Sequence, residues 1–162
     1  MPNRCGAYPA TDTTGSHAMT DAMIEAALAA RGKAYARYSG FQVGASIRCE
    51  QGLIHAGCNV ENAAYPQGTC AEAAAISAMI LAGSRCVQAV VIAGSGSGPC
   101  TPCGGCRQKL REFALPDVGI RMVDRSGRVL LVRSLGELLP DSFGPDSLST
   151  DSLGPDLLGP RG

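Results

Sequence analysis

Two short stretches of the sequence carry the residues that could do chemistry. Residues 70–72 read Cys-Ala-Glu, and residues 102–106 read Pro-Cys-Gly-Gly-Cys. Between them they offer three thiols and one carboxyl, those of Cys70, Cys103, Cys106 and Glu72. Zinc prefers thiolate and imidazole ligands, and a catalytic zinc keeps three protein ligands so that water can fill the fourth position. The pattern therefore predicts a zinc site with a proton-transferring carboxyl beside it.

The second stretch offers two thiol pairs with the same spacing, because Cys100 lies three residues before Cys103. We favour Cys103 with Cys106, since Cys106 begins a helical repeat with Leu110 and Phe113. Gly104 and Gly105 also remove the steric obstacle to a tight bend. The competing interpretation, that these cysteines are small buried apolar residues, is the better one for the four at positions 5, 49, 58 and 86.

Glu72 follows Cys70 by two residues, so it leaves the helix at a different azimuth and need not be a ligand. It is the only charged residue from 62 to 84. In apolar surroundings its carboxyl pKa should rise, which suits a group that takes a proton from water and returns it. The alternative is an acid that merely stabilises the helix dipole.

The composition limits the class of partner. The chain has 162 residues, 45% of them hydrophobic, and a net charge of zero without a run of Lys or Arg. This balance indicates one domain that acts on a small uncharged substrate, and it disfavours nucleic acid and membrane partners. Clustered cysteines without a signal peptide indicate a reduced, cytoplasmic metal protein rather than a disulfide scaffold.

Periodicity and turn residues predict the order of the elements. A first helix begins near Thr20, strands follow at 41–49 and 53–58, and a buried helix covers 70–82. A strand at 87–93, the helix after Cys106 and strands at 120–123 and 129–132 complete the pattern. The last two strands are too close in sequence for a parallel crossover and must be antiparallel. We assign residues 1–18 to a disordered leader, 19–143 to the domain and 144–162 to a flexible tail.

Several motifs in one order resemble the small homotetrameric cytidine deaminases. They are 38–42, Cys-Asn-Val-Glu-Asn-Ala-Ala-Tyr at 58–65, Cys-Ala-Glu at 70–72, Pro-Cys-Gly-Gly-Cys-Arg-Gln at 102–108 and Leu-Leu-Pro at 138–140 with Phe143. Cys-x-Glu followed by Pro-Cys-x-x-Cys is the zinc deaminase pattern. The resemblance implies an α/β, three-layer α-β-α fold with a mixed five-stranded sheet.

The resemblance also implies an activity and roles for further residues. The reaction would be hydrolysis of cytidine and 2′-deoxycytidine to the uridines and ammonia, with one zinc per subunit and Glu72 as proton shuttle. The substrate-binding residues implied are Phe41 on the pyrimidine, Asn59 and Glu61 on the ribose, the backbone of Ala71 on the base, Ala63 and Tyr65 reaching a neighbouring subunit of a homotetramer, and Phe143 over the pocket.

One position departs from the family pattern. Many of these deaminases have Arg directly after the catalytic Glu, where it offsets the charge of three thiolates, but this chain has Ala73. Arg107 or backbone N–H groups must then compensate. Two other functions stay open: a deaminase of another base or of RNA, and a structural zinc module closed by a fourth protein ligand.

Overall fold

The computed structural model describes residues 15–148, with side chains from residue 18 onward. Cys5 and most of the predicted leader and tail therefore lie outside the described residues. Within the described part, no helix is both long and apolar enough to cross a membrane.

One mixed sheet of five strands forms the middle layer. The strands are β1 (Val43–Cys49), β2 (Ile54–Cys58), β3 (Val87–Gly94), β4 (Ala114–Val123) and β5 (Val129–Ser134), in the spatial order β2-β1-β3-β4-β5. β3 and β4 are parallel, and the other neighbours are antiparallel. The predicted mixed five-stranded sheet, with its last two strands antiparallel, is confirmed.

Helices cover both faces of this sheet. They are α1 (Gly15–Arg31), α2 (Ala71–Leu81), α3 (Gly104–Phe113) and a single turn, α4 (Leu135–Leu138). β3 shows how the layers divide, since alternate residues of a strand face opposite sides. Val90 and Ile92 pack in the core cluster that includes α2 and α3. Val91 packs with Met23 and Ala27 of α1 on the other face. The three-layer arrangement is therefore the predicted one.

Several element boundaries differ from the sequence prediction. α1 begins at Gly15, so Thr20 lies inside the helix and is not its N-cap; no proline between 15 and 20 prevents the longer helix. β1 begins at Val43 rather than at residue 41. β4 begins at Ala114, six residues early, and tolerates Pro116 next to the irregular register between β3 and β4. Residues 145–148, predicted within the tail, form a 3₁₀ turn.

Candidate active site

The three predicted thiols come together. The sulfur atoms of Cys70, Cys103 and Cys106 all lie within 4.8 Å of one another. The Cys70 and Cys103 sulfurs are 3.7 Å apart. Cys106 is buried, whereas Cys70 and Cys103 are exposed to solvent. Cys100 is not a member of this cluster, so the choice of Cys103 with Cys106 over Cys100 with Cys103 agrees with the geometry.

Two helix N-termini bring these thiols to one point. Cys70 is the N-cap of α2, and Cys103 is the N-cap of α3; both have extended backbone. Each carbonyl accepts the first helical hydrogen bond, from Ala74 at 3.1 Å and from Arg107 at 3.0 Å. The positive ends of both helices therefore lie next to Cys70 and Cys103, where they favour negative charge on the thiols.

Glu72 lies in the first turn of α2, against the cluster. Glu72 is only 5% exposed, and the Cys106 thiol donates a hydrogen bond to Glu72 Oε2 at 3.4 Å. Burial raises the pKa of the Glu72 carboxyl above its ordinary value, although its own backbone N–H and the Cys106 thiol act in the opposite direction. A carboxyl with a raised pKa can both accept and donate a proton near neutral pH.

The three thiols differ in pKa: that of Cys103 is lowered, and those of Cys70 and Cys106 are raised. Burial raises the pKa of Cys70 and Cys106, and Cys103 and Glu72 add to the effect at both thiols, whereas the hydrogen bond with Cys106 acts against it at Cys70. Burial also acts against ionisation of Cys103, but the backbone N–H of Cys106 and the neighbouring thiols outweigh it, so the pKa of Cys103 is lowered. Three sulfurs this close keep some protons unless a cation replaces them, which is the behaviour of a metal site.

The sulfur positions suit zinc. With Zn–S bonds of about 2.3 Å and tetrahedral angles, the sulfurs of a zinc site lie about 3.8 Å apart. The 3.7 Å between Cys70 and Cys103 matches this separation. Among residues 18–148, the cluster has three members and no fourth Cys, His, Asp or Glu. A structural zinc site is closed by four protein ligands, so this set of three fits a catalytic site better.

Gly57 sets the position of α2 against the sheet. A Cβ at this residue of β2 would lie 2.4 Å from the backbone nitrogen of Ala75 and 2.6 Å from the carbonyl oxygen of Ala71. Such close approach of a helix to a strand is possible only without a side chain. Because α2 carries Cys70 and Glu72 at its start, this contact fixes their height above the sheet.

The side-chain hydrogen bonds described for Arg107 go to backbone carbonyls on either side of α3 and not to the thiols. Its Nε donates to the Pro102 carbonyl at 2.8 Å, and its Nη1 donates to the Leu138 carbonyl at 2.7 Å. The guanidinium thus holds the loop before Cys103 in place. Of the two sources of compensation suggested by Ala73, the backbone has the electrostatic support, because the backbone N–H of Cys106 lowers the pKa of the Cys103 thiol.

Cys100 is a neighbour of the cluster. A Cβ on Gly94 would lie 2.5 Å from the Cβ of Cys100, so this side chain packs against the end of β3. Burial, followed by the charges of Glu72, Cys70 and Cys103, raises the pKa of the Cys100 thiol to about 11. Cys100 therefore stays protonated and acts as packing.

An open cleft of about 540 Å³ begins at Cys70. Its lining comprises residues 38, 39, 59–62, 65 and 68–70. Asn59, Glu61 and Tyr65, which were predicted to bind substrate, are among them. Ser39 and Thr69 were not predicted; residue 39 lies in the motif at 38–42, but nothing in the sequence showed which residues of that motif would face the cleft.

Asn59 and Glu61 also hold the loop that precedes β1. Asn59 Oδ1 accepts from the Val43 N–H at 2.8 Å, and its Nδ2 donates to the Phe41 carbonyl at 2.9 Å. Glu61 accepts from the N–H of Tyr38 at 2.7 Å and from the Ser39 hydroxyl. The hydrogen bond from the Ser39 hydroxyl, followed by that from the Tyr38 N–H, lowers the pKa of the Glu61 carboxyl. Glu61 is therefore a carboxylate at neutral pH.

The other predicted substrate-binding residues are not among those that line the cleft. The Phe41 ring lies beside Gly94 and Gly96, and it is partly exposed. Ala63 is exposed, and Ala71 is buried at the first position of α2. Phe143 is exposed, and its carbonyl accepts from Gln108 of α3 at 3.0 Å.

The fold and the site together define a metal-dependent enzyme of the zinc deaminase class. Residues 18–122 match the family model described as the cytidine and deoxycytidylate deaminase zinc-binding region. The chain belongs to this family, and zinc is its cofactor.

Individual cytidine deaminases that are similar to this chain agree with this assignment. The chain is 37% identical over 114 residues to a cytidine deaminase of Sporosarcina psychrophila, covering 70% of this chain and 83% of that one. It is 41% identical over 112 residues to a cytidine deaminase of Mycobacterium tuberculosis, covering 68% and 79%. The crystal structure of cytidine deaminase from Burkholderia pseudomallei superposes with a TM-score of 0.71 at 45% identity, covering 76% of this chain and 98% of that one.

Proposed function

We propose that this chain hydrolyses cytidine and 2′-deoxycytidine to uridine and 2′-deoxyuridine, with release of ammonia. Cys70, Cys103 and Cys106 would hold one zinc ion, and Glu72 would move the protons. The observation that carries the proposal is the contact of a buried carboxyl with a three-thiol cluster that has no fourth protein ligand among residues 18–148. The names of the relatives support the choice of substrate.

The proton steps fall to Glu72. When bound, zinc supplies Lewis-acid activation of the attacking water. Glu72 would accept a proton from that water, deliver it to ring N3 as C4 is attacked, and later help to protonate the leaving amine. Its buried carboxyl and raised pKa suit this cycle of accepting and giving a proton. Water adds its oxygen to C4, and the amine leaves as ammonia.

The ribose would lie in the open cleft, between Asn59 and Glu61. The Asn59 carboxamide uses one N–H and one lone pair on the loop, which leaves one of each for a hydroxyl. The Glu61 carboxylate likewise has acceptor capacity beyond the Tyr38 and Ser39 contacts. Phe41 would stack on the pyrimidine, and the N–H of Ala71 would meet the amide edge of the base.

We also propose a homotetramer whose sites lie at subunit interfaces. Tyr38, Val60 and Tyr65 are large apolar residues that remain exposed at the cleft. Such a patch is typical of a surface that another chain covers. Ala63 and Tyr65 would then reach the neighbouring subunit's site, and Phe143 would cover the pocket. The cytoplasmic location remains a prediction from the cysteine pattern.

The test is a direct assay of deamination. Purified protein with measured zinc content is incubated with cytidine or 2′-deoxycytidine, and the absorbance change on forming the uridine is followed. We expect turnover of both nucleosides and none of a cytosine-containing RNA oligonucleotide. Zinc-loaded protein that leaves both nucleosides unchanged would reject the proposed function; turnover of the RNA would favour the alternative of an RNA deaminase.

A further inference from the structure

Polar side chains of α3 hold the segment 142–146, which carries Phe143, through hydrogen bonds and an ion pair; we call this set of contacts the grip. Gln108 donates to the Phe143 carbonyl at 3.0 Å, and Arg111 Nε donates to the Ser142 hydroxyl at 3.1 Å. Arg111 Nη2 also pairs with Asp146 Oδ2 at 2.5 Å. The backbone around Phe143 is therefore held on both sides.

Arg111 is the centre of this grip. Its side chain is only 7% exposed, whereas that of Asp146 is 69% exposed. The guanidinium also lies directly against the chain at Gly144, where a Cβ would meet three of its atoms at 2.5–2.8 Å. An arginine is rarely buried to this degree unless it is paired, so the segment and the guanidinium fix each other.

The grip does not bury the ring of Phe143. That residue remains 62% exposed, although its backbone is fixed by the neighbours on either side. Burial of an apolar ring would stabilise the fold, but this ring gains little from its position. The arrangement instead holds the backbone of Phe143 against α3, the helix whose N-cap and first turn carry Cys103 and Cys106.

We propose that Arg111 is a positioning residue for the deamination site. Paired with Asp146, it holds residues 142–146 on α3 and so fixes the place from which Phe143 covers bound nucleoside. This inference rests on the proposed function, in particular on the covering role of Phe143. It predicts that Arg111 affects substrate binding only through Phe143.

The first test uses Asp146→Asn, because this change at the exposed partner removes the ion pair while its amide oxygen can still accept a hydrogen bond from the buried guanidinium of Arg111. The KM for cytidine should rise roughly two- to fivefold, the range expected for the loss of a partly exposed pair, while kcat stays near the wild-type value. Arg111→Met should give the same split. Asp146→Glu should restore most of the affinity. Arg133→Met, which removes an exposed arginine paired with Glu137 at 3.9 Å, is the matched control and should leave KM unchanged.

The decisive comparison is made in a Phe143→Ala background. If Arg111 acts through Phe143, Asp146→Asn leaves the KM of the Phe143→Ala protein unchanged, because the group through which it acts is already gone. An equal rise in KM with and without Phe143 would overturn the proposal, since it would show a general structural effect. A KM for cytidine that stays unchanged in both Asp146→Asn and Arg111→Met would also overturn the proposal.

Hydrogen exchange separates this inference from the proposed function. In the full-length zinc-loaded protein, Asp146→Asn should speed amide exchange at residues 142–148, whether or not cytidine is turned over. Unchanged exchange would show that the ion pair does not hold the segment. A wild-type protein without deaminase activity would reject the proposed function, and faster exchange in the variant would still establish the grip.

Discussion

The contact of Gly57 with α2 makes a sharp prediction about Gly57→Ala. An added Cβ would lie 2.4 Å from the Ala75 nitrogen, 2.6 Å from the Ala71 oxygen and 2.7 Å from the Ala74 carbonyl carbon. These are backbone atoms, which cannot rotate away. Because ordinary contact begins near 3.4 Å, α2 must move away from β2 by about 1 Å.

Two losses follow from that shift. Forcing atoms into a well-packed layer costs about 1–3 kcal/mol, which lowers the Tm by roughly 3–5 °C for each kcal/mol in a domain of this size. The shift also moves Cys70 and Glu72 relative to Cys103 and Cys106, which α3 holds. A displacement of about 1 Å in a catalytic site can lower the rate about 100-fold. We therefore expect kcat/KM for cytidine to fall by one to two orders of magnitude.

Two control glycines separate positioning from packing. Gly44→Ala meets the Ala27 oxygen at 2.0 Å, but α1 carries none of the proposed site residues. It should lower the Tm as much as Gly57→Ala while the folded protein keeps kcat/KM. Gly119→Ala in β4 has no atom within 4 Å of the new Cβ and should change neither quantity.

The assay combines thermal melting, zinc content and steady-state kinetics at a temperature where every variant is folded. Gly57→Ala with wild-type kcat/KM would refute the argument that this glycine sets the site. Equal losses of kcat/KM in Gly57→Ala and Gly44→Ala would do so as well, because the effect would then follow from destabilisation alone.

Two further predictions concern the bracing of the site and the stability of the fold. Arg107→Ala removes the hydrogen bonds to the Pro102 and Leu138 carbonyls, so we expect turnover of cytidine to fall more than the Tm; unchanged turnover would show that the loop before Cys103 needs no brace. Asp124 has a pKa lowered to about 2, chiefly by the hydrogen bond from the Ser126 hydroxyl. A depressed native pKa stabilises the fold above the unfolded pKa near 4, and this contribution is lost as the pH falls towards 2. Asp124→Ala should therefore lower the Tm at pH 7 and make a smaller difference near pH 2; a Tm difference that does not shrink in acid would contradict the assignment.

The cluster of the Cys70, Cys103 and Cys106 thiols could be predicted because the features that form it are local in the sequence. A cysteine that caps a helix needs only the two or three residues around it, and both Cys70 and Cys103 occupy such positions. The buried helix 70–82 was equally plain from its composition. Its contact with Gly57 was not, since a glycine within a strand pattern gives no sign of what approaches it until the layers are packed.

The C-terminal segment shows a contact that composition alone does not report. Gly144, Pro145 and Asp146 resemble the later Gly-Pro-Asp repeat and were assigned with it to the tail. Asp146 is nevertheless paired with Arg111, and residues 145–148 form a turn. An ion pair between residues 35 positions apart depends on tertiary structure, which neither helical periodicity nor turn preference reports.

The most direct test of the central claim is Glu72→Gln, measured for zinc content and cytidine turnover together. The amide keeps the shape of the side chain but cannot accept and return a proton. The account predicts one zinc per chain, as in the wild type, and a loss of kcat of about 100- to 10,000-fold, the contribution of a general acid–base group. Zinc-loaded Glu72→Gln that deaminates cytidine at the wild-type rate would contradict it, and loss of zinc from this variant would show that Glu72 is a ligand instead.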